Sequence, residues 1–159
     1  MLRLSKKADY ALIALSYMAA PGQRPVVSAR EMAERHDLPL ELLAKVLQRL
    51  VQRGLLTSVQ GINGGYRLAR PATEMSVAQV VEAIDGPLML TACNETSDDP
   101  CVQYAKCNIR DPLHRIRERI AGALVACSIA ELVADAALAT AQPAATPVTW
   151  VKPRSGAGL

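Results

Sequence analysis

Cys93, Cys101 and Cys107 fall within fifteen residues of one another, separated by seven and then five residues. Thiolates are soft ligands, and a compact cysteine triplet in a reducing compartment more often grips a metal than closes a disulfide. The gaps are too wide for a Cys-x-x-Cys redox pair or for a zinc site built on paired knuckles. A loop of this length suits a larger inorganic centre, and an iron–sulfur cluster is the expected occupant. Three thiolates leave such a centre one ligand short. His114, seven residues past Cys107 and about two helical turns along, is badly placed to supply it. Cys127 sits on an apolar stripe and reads as a core thiol. Asp9, an acid within an otherwise apolar helical stretch, is the better candidate; the plainer alternative is an exposed residue near a positive helix N-terminus.

These residues need a frame. The chain has 159 residues, half of them apolar, enough for one ordinary domain or a small one with an appendage. Phe is absent while Ala and Leu are abundant, which favours a mainly α protein. No segment approaches the roughly 20 unbroken apolar residues of a membrane span. The N-terminus imitates a secretory signal, with Arg3, Lys6 and Lys7 before an apolar run, but Asp9 and two tyrosines interrupt it. Leu4, Ala8, Leu12, Leu15 and Ala19 recur at helical intervals and read as the face of a core helix. The expectation is a cytoplasmic protein with reduced cysteines. Charge is unevenly spread. Residues 1–71 carry eleven Lys/Arg against five Asp/Glu, and residues 72–159 carry seven against ten. A basic front half suits a module that meets phosphates.

Pro21-Gly22 ends the first helix, and Ser28 to Glu31 offers a capping box for a short second one, running to about Arg35. Asp37-Leu38-Pro39 starts a third, whose Leu43, Val46, Leu47 and Leu50 form a buried stripe that Gly54 stops. Two helices across a short turn are a helix-turn-helix. Glu41, Ala44, Lys45, Gln48, Arg49 and Gln52 face outward on the second, with an ordinary solvated helical hairpin as the rival reading. The adjoining segment decides between them. Leu55 to Val59 reads as a strand, residues 61–65 as a glycine turn tolerant of positive φ, and Tyr66 to Arg70 as the returning strand before Pro71. A hairpin after a recognition helix is a wing, its Gly64-Gly65 tip open to a phosphate and flanked by Tyr66 and Arg67. The expected architecture is a winged helix-turn-helix.

Ser76 to Gln79 caps a further helix with Val77, Val80, Val81 and Ile84 inward, ended by Asp85-Gly86-Pro87. Beyond the cysteines, Pro112 begins a long helix striped with Leu113, Ile116, Ile120, Leu124 and Cys127. A winged domain of about 70 residues has little interior, so this stripe suits a two-fold partner helix; packing back on its own domain is the competing reading. Ser128 to Glu131 is another capping box, where the helix should break before a final short helical turn. Past Ala139 the Ala, Pro, Thr and Gly content reads as a disordered tail, in which Trp150 has no evident role. The expected division is 1–87 winged domain, 88–110 cysteine loop, 111–137 dimerisation helix and 138–159 tail.

In the stretch Met1 to Leu12, the segment Gly61-Ile62-Asn63-Gly64-Gly65-Tyr66-Arg67-Leu68, the run from Ser76-Val77 to Ile84-Asp85-Gly86, and three cysteines before a long helix, the chain resembles the Rrf-type winged-helix regulators that include IscR, NsrR and RirA. The likeness covers roughly residues 1–135 and is strongest to the branch regulating SUF-type iron–sulfur assembly. It implies a homodimer with crossed long helices and a 2Fe–2S or 4Fe–4S cluster on Cys93, Cys101 and Cys107. IscR-like members carry a histidine three residues after the last cysteine, where this chain has Arg110. NsrR-like members use an aspartate from the opposite subunit's first helix, which Asp9 matches. The implied function is a DNA-binding transcriptional regulator, a repressor, sensing iron or redox state. Lys6, Lys7, Arg49, Arg53 and Arg67 would neutralise phosphates, and Glu41, Ala44, Lys45 and Gln48 would read base edges. The rival is a winged DNA binder whose cysteines hold structural zinc or act as a thiol switch. An enzyme is not expected, since no nucleophile–His–acid set or phosphate-binding glycine fingerprint is present.

Overall fold

The computed structural model describes residues 4–89, 101, 103 and 106–141. Cys93, Trp150 and the tail beyond residue 141 lie outside the described residues. The elements run α1 (Lys6–Ala19), α2 (Ala29–Arg35), α3 (Leu40–Gln52), β1 (Leu56–Val59), β2 (Gly65–Leu68), a 3-10 turn (Ala72–Glu74), α4 (Val77–Asp85), α5 (Arg110–Ala126) and α6 (Ile129–Ala141). The fold is mainly helical, with one antiparallel hairpin.

The core forms where α1, α3 and α4 meet. The stripe expected on α3 is the one observed: Leu43, Val46, Leu47 and Leu50 are all buried. On α1 the buried face is Ala8, Ala11, Ala14, Leu15 and Met18, rotated from the expected one. Small alanines let neighbouring helices close in, while Leu4, Leu12 and Ala19 pack at the core's margin. Burying leucines such as Leu43, Leu47 and Leu50 contributes about 1.5–3 kcal/mol each.

Caps set the helix starts. Ser28 accepts from the Glu31 amide at 3.1 Å, but the carboxylate of Glu31 turns to the Tyr17 hydroxyl and Arg24 rather than completing a box. The pivot between α2 and α3 is Asp37, whose φ of 51° is left-handed, and Pro39 is the N-cap of α3 rather than part of its first turn. Ser76 and Gln79 do form the full reciprocal box.

Two expectations at the C-terminal end change. The long helix begins at Arg110, which places Pro112 inside its first turn, where a missing N–H costs nothing. The final element is a 13-residue helix rather than a short turn, continuing past the division expected at 137. Ser128 and Glu131 cap it as expected. It lies against α1 and the 3-10 turn, and Ile129 is fully buried in the core of the winged domain. Residues 75–77 and 127–129 pair as a short antiparallel bridge: Val77 donates to the Cys127 carbonyl at 2.9 Å and Ile129 to that of Met75 at 2.8 Å.

Candidate nucleic-acid interface and cysteine segment

With Leu43, Val46, Leu47 and Leu50 turned inward, the opposite face of α3 is solvent-accessible. Glu41, Lys45, Gln48, Arg49 and Gln52 are exposed and Ala44 is half-buried, so the candidate base readers share one face. Arg53 caps the helix and is exposed. Arg49 also turns back: its Nε donates to the Ala83 carbonyl on α4 at 3.1 Å. One bonded nitrogen of a planar fork restricts the rest, so this guanidinium is held in one orientation.

The wing pairs Leu56 with Leu68, Thr57 with Arg67, Ser58 with Tyr66 and Val59 with Gly65. It is rooted to the body by Val27, which exchanges two backbone hydrogen bonds with Tyr66 at 2.9 and 2.8 Å. Arg67 projects to solvent, whereas Tyr66 packs half-buried at the edge of the core. Ile62 at the tip is fully exposed. The positive φ expected across the tip is confined to one of its glycines. Only Gly61 has positive φ, at 114°. At Gly64 a Cβ would lie 2.4 Å from the Val59 carbonyl oxygen, and at Gly65 2.4 Å from that of Val27. Their role is to let backbone strands approach, which sequence reading assigned to torsional freedom.

Lys6 and Lys7 open α1 and are exposed, as is Asp9 one turn in. Ser5 caps this helix, accepting from Ala8 at 3.1 Å. Asp85, read from sequence only as part of a helix stop, binds Ser5 from the end of α4. A signal existed in the acid placed at a helix C-terminus, where it is electrostatically disfavoured.

Cys101 and Cys107 are free, half-buried thiols in the segment leading into α5. Cys127 is also free; it packs beside the core and its Sγ donates to the Ser128 carbonyl at 3.7 Å, in keeping with a structural thiol. His114 is occupied on α5, with Nε2 3.1 Å from Glu118 and Nδ1 3.0 Å from Arg117. Arg110 bonds Asp111 at 2.8 Å, and that charge-assisted hydrogen bond holds the Asp111 carboxyl below the usual range. Among the described residues no three His, Cys, Asp or Glu side chains gather as a metal site. The donor chemistry nonetheless fits a soft metal centre, since two thiols sit six residues apart with neither tied in a disulfide.

On α5 no residue is buried: Ile116 and Val125 are exposed, and Leu113, Ile120 and Leu124 are half-buried. No helix among the described residues is long and apolar enough to cross a membrane.

Residues 4–135 match a family model, Rrf2, described as an iron-dependent transcriptional regulator. The chain is 32% identical over 134 residues to the HTH-type transcriptional regulator IscR of Photobacterium profundum, covering 84% of this chain and 77% of that protein. Among solved structures it is similar to T. potens IscR, with a TM-score of 0.65 and 26% identity over 91% of this chain and 94% of the other. Its fold also matches CymR, the global cysteine regulator of B. subtilis, with a TM-score of 0.70 and 23% identity over 85% of this chain and 98% of the other.

Proposed function

This chain belongs to the Rrf2 family of transcriptional regulators, and from that membership we propose that it is a cytoplasmic, homodimeric repressor whose DNA binding answers to an iron–sulfur cluster. It is a DNA-binding regulator and not an enzyme. The observation that carries the finer reading is the pair of free, half-buried thiols at Cys101 and Cys107, between the winged domain and a long helix with no buried face. Cys93 completes the thiolate set.

Asp9 from one protomer and the three cysteines of the other are the proposed ligands, and the cluster supplies a link sensitive to iron and oxidants. Asp9 is exposed on α1, free to face a second subunit, and the apolar stripe of α5 supplies the surface to bring one near. On each protomer Glu41, Ala44, Lys45 and Gln48 read base edges in the major groove. Lys6, Lys7, Arg49, Arg53 and Arg67 neutralise phosphates, with Gly64, Gly65 and Tyr66 shaping the wing's approach. A coupling of about 1–3 kcal/mol between cluster and operator would change affinity about 5- to 150-fold. Genes of the SUF-type iron–sulfur assembly system are the proposed targets.

Protein purified without oxygen is expected to be brown, to lose its visible absorption in Cys101→Ser, and to bind promoter DNA of such genes with different affinity before and after cluster removal. Asp9→Ala should reduce cluster yield or hasten its loss in air; unchanged yield and air stability would remove it from the ligand set. The same two free thiols also suit a second reading, a thiol switch or a structural zinc site. Colourless protein with stoichiometric zinc, or DNA binding that follows thiol oxidation without iron, would favour it.

A further inference from the structure

Asp85 ends α4, at the pole where the helix dipole disfavours an acid. Its carboxylate serves a different helix. Oδ2 accepts from the Ser5 backbone N–H at 3.1 Å and Oδ1 from the Ser5 hydroxyl at 2.5 Å. That hydroxyl accepts in turn from the Ala8 amide at 3.1 Å. One acid, 80 residues away in sequence, thereby holds the backbone N–H and hydroxyl of the N-cap Ser5 and sets a negative charge at the positive pole of α1. The next two residues, Lys6 and Lys7, are exposed cations at this same pole, where they are disfavoured unless an acid offsets them. Two residues before Asp85, the Ala83 carbonyl holds Nε of Arg49 on the recognition helix. The last turn of α4 thus bonds to both α1's N-terminus and α3.

We infer that Asp85 is a positioning residue of the DNA interface, fixing the front of α1 so that Lys6 and Lys7 meet phosphates in register with α3 and the wing. This rests on the proposed reading of those lysines as phosphate contacts. A positioning role differs from a general structural one in a way that can be measured. Each lost lysine–phosphate contact flattens the slope of log K against log salt by about 0.9, whereas loss of folded protein leaves the slope unchanged.

The test is a salt titration of the full-length dimer on a labelled mixed-sequence DNA duplex, at a temperature where circular dichroism shows every variant folded. The variants are wild type, Lys6→Ala/Lys7→Ala, Asp85→Ala, and all three substitutions together. Asp85→Ala is expected to weaken binding several-fold and to flatten the slope. Combined with the lysine changes it should add little further, since it acts through them. If Asp85→Ala does not fold, Asp85→Asn, which keeps the shape and drops the charge, takes its place under the same criteria. Additive losses, or an Asp85 variant with the wild-type slope, would overturn the inference while leaving the lysines as contacts. Lysine variants that bind like wild type would overturn it by another route, removing α1 from the interface.

Discussion

At Gly65 a side chain has nowhere to go, because the Val27 carbonyl already occupies the place of a Cβ. The wing is joined to the body there by the two Val27–Tyr66 hydrogen bonds, so the clash falls on backbone that cannot swing aside. Gly65→Ala should destabilise the protein by about 1–3 kcal/mol, the usual cost of overpacking, read as a lower midpoint in urea unfolding. Gly61→Ala is a contrast: there is space for the methyl group, and only its left-handed φ of 114° opposes it. The sequence showed a cluster of glycines but not which need torsional freedom and which need room. Room is a property of a neighbour 38 residues away. The same blindness hid Asp85, whose partner Ser5 is 80 residues distant.

Among the elements, α3 was the most legible, since its amphipathic stripe is decided by local period and its stop by Gly54 at φ 71°. The α5–α6 break was legible for a similar reason: the capping box at Ser128 and Glu131 is a local interaction. Glu131 accepts from the Ser128 backbone N–H at 2.7 Å and from its hydroxyl at 2.9 Å. These bonds favour the ionised carboxylate and hold its pKa below the ordinary glutamate value. The linked stability is therefore fully present above the ordinary glutamate pKa of the unfolded chain and is lost as pH falls through the lowered folded value. Melting curves taken between neutral and acid pH should show wild type losing this margin and Glu131→Gln lacking it throughout. Parallel pH profiles for the two proteins would show that the cap contributes nothing through its charge. The length of α6 was less legible. Its alanine-rich second half looks like the start of a tail until α1 and the 3-10 turn give its first turns something to lie on.

For the whole molecule, α5 presents a surface that the described residues do not cover. Seventeen residues long and without one buried side chain, it carries Leu113, Ile116, Ile120 and Leu124 on a face that a single chain leaves partly wet. Ile116→Glu places a charge on that face, and in a two-fold dimer like charges would meet or approach. Sedimentation should then show a monomer, or a dimer weakened at least tenfold, with helix content retained; an unchanged dimer would mean that the subunits meet elsewhere. Sequence by itself determined the order of the elements, the winged helix-turn-helix and the inward face of α3, because these arise from short-range period, caps and turn chemistry. Only the tertiary structure decided that α4's last residue closes the front of α1, that Ile129 carries the C-terminal helix into the core, and that two wing glycines exist for close approach. Each of those depends on which distant backbone arrives at a given point, and no local pattern encodes that arrival.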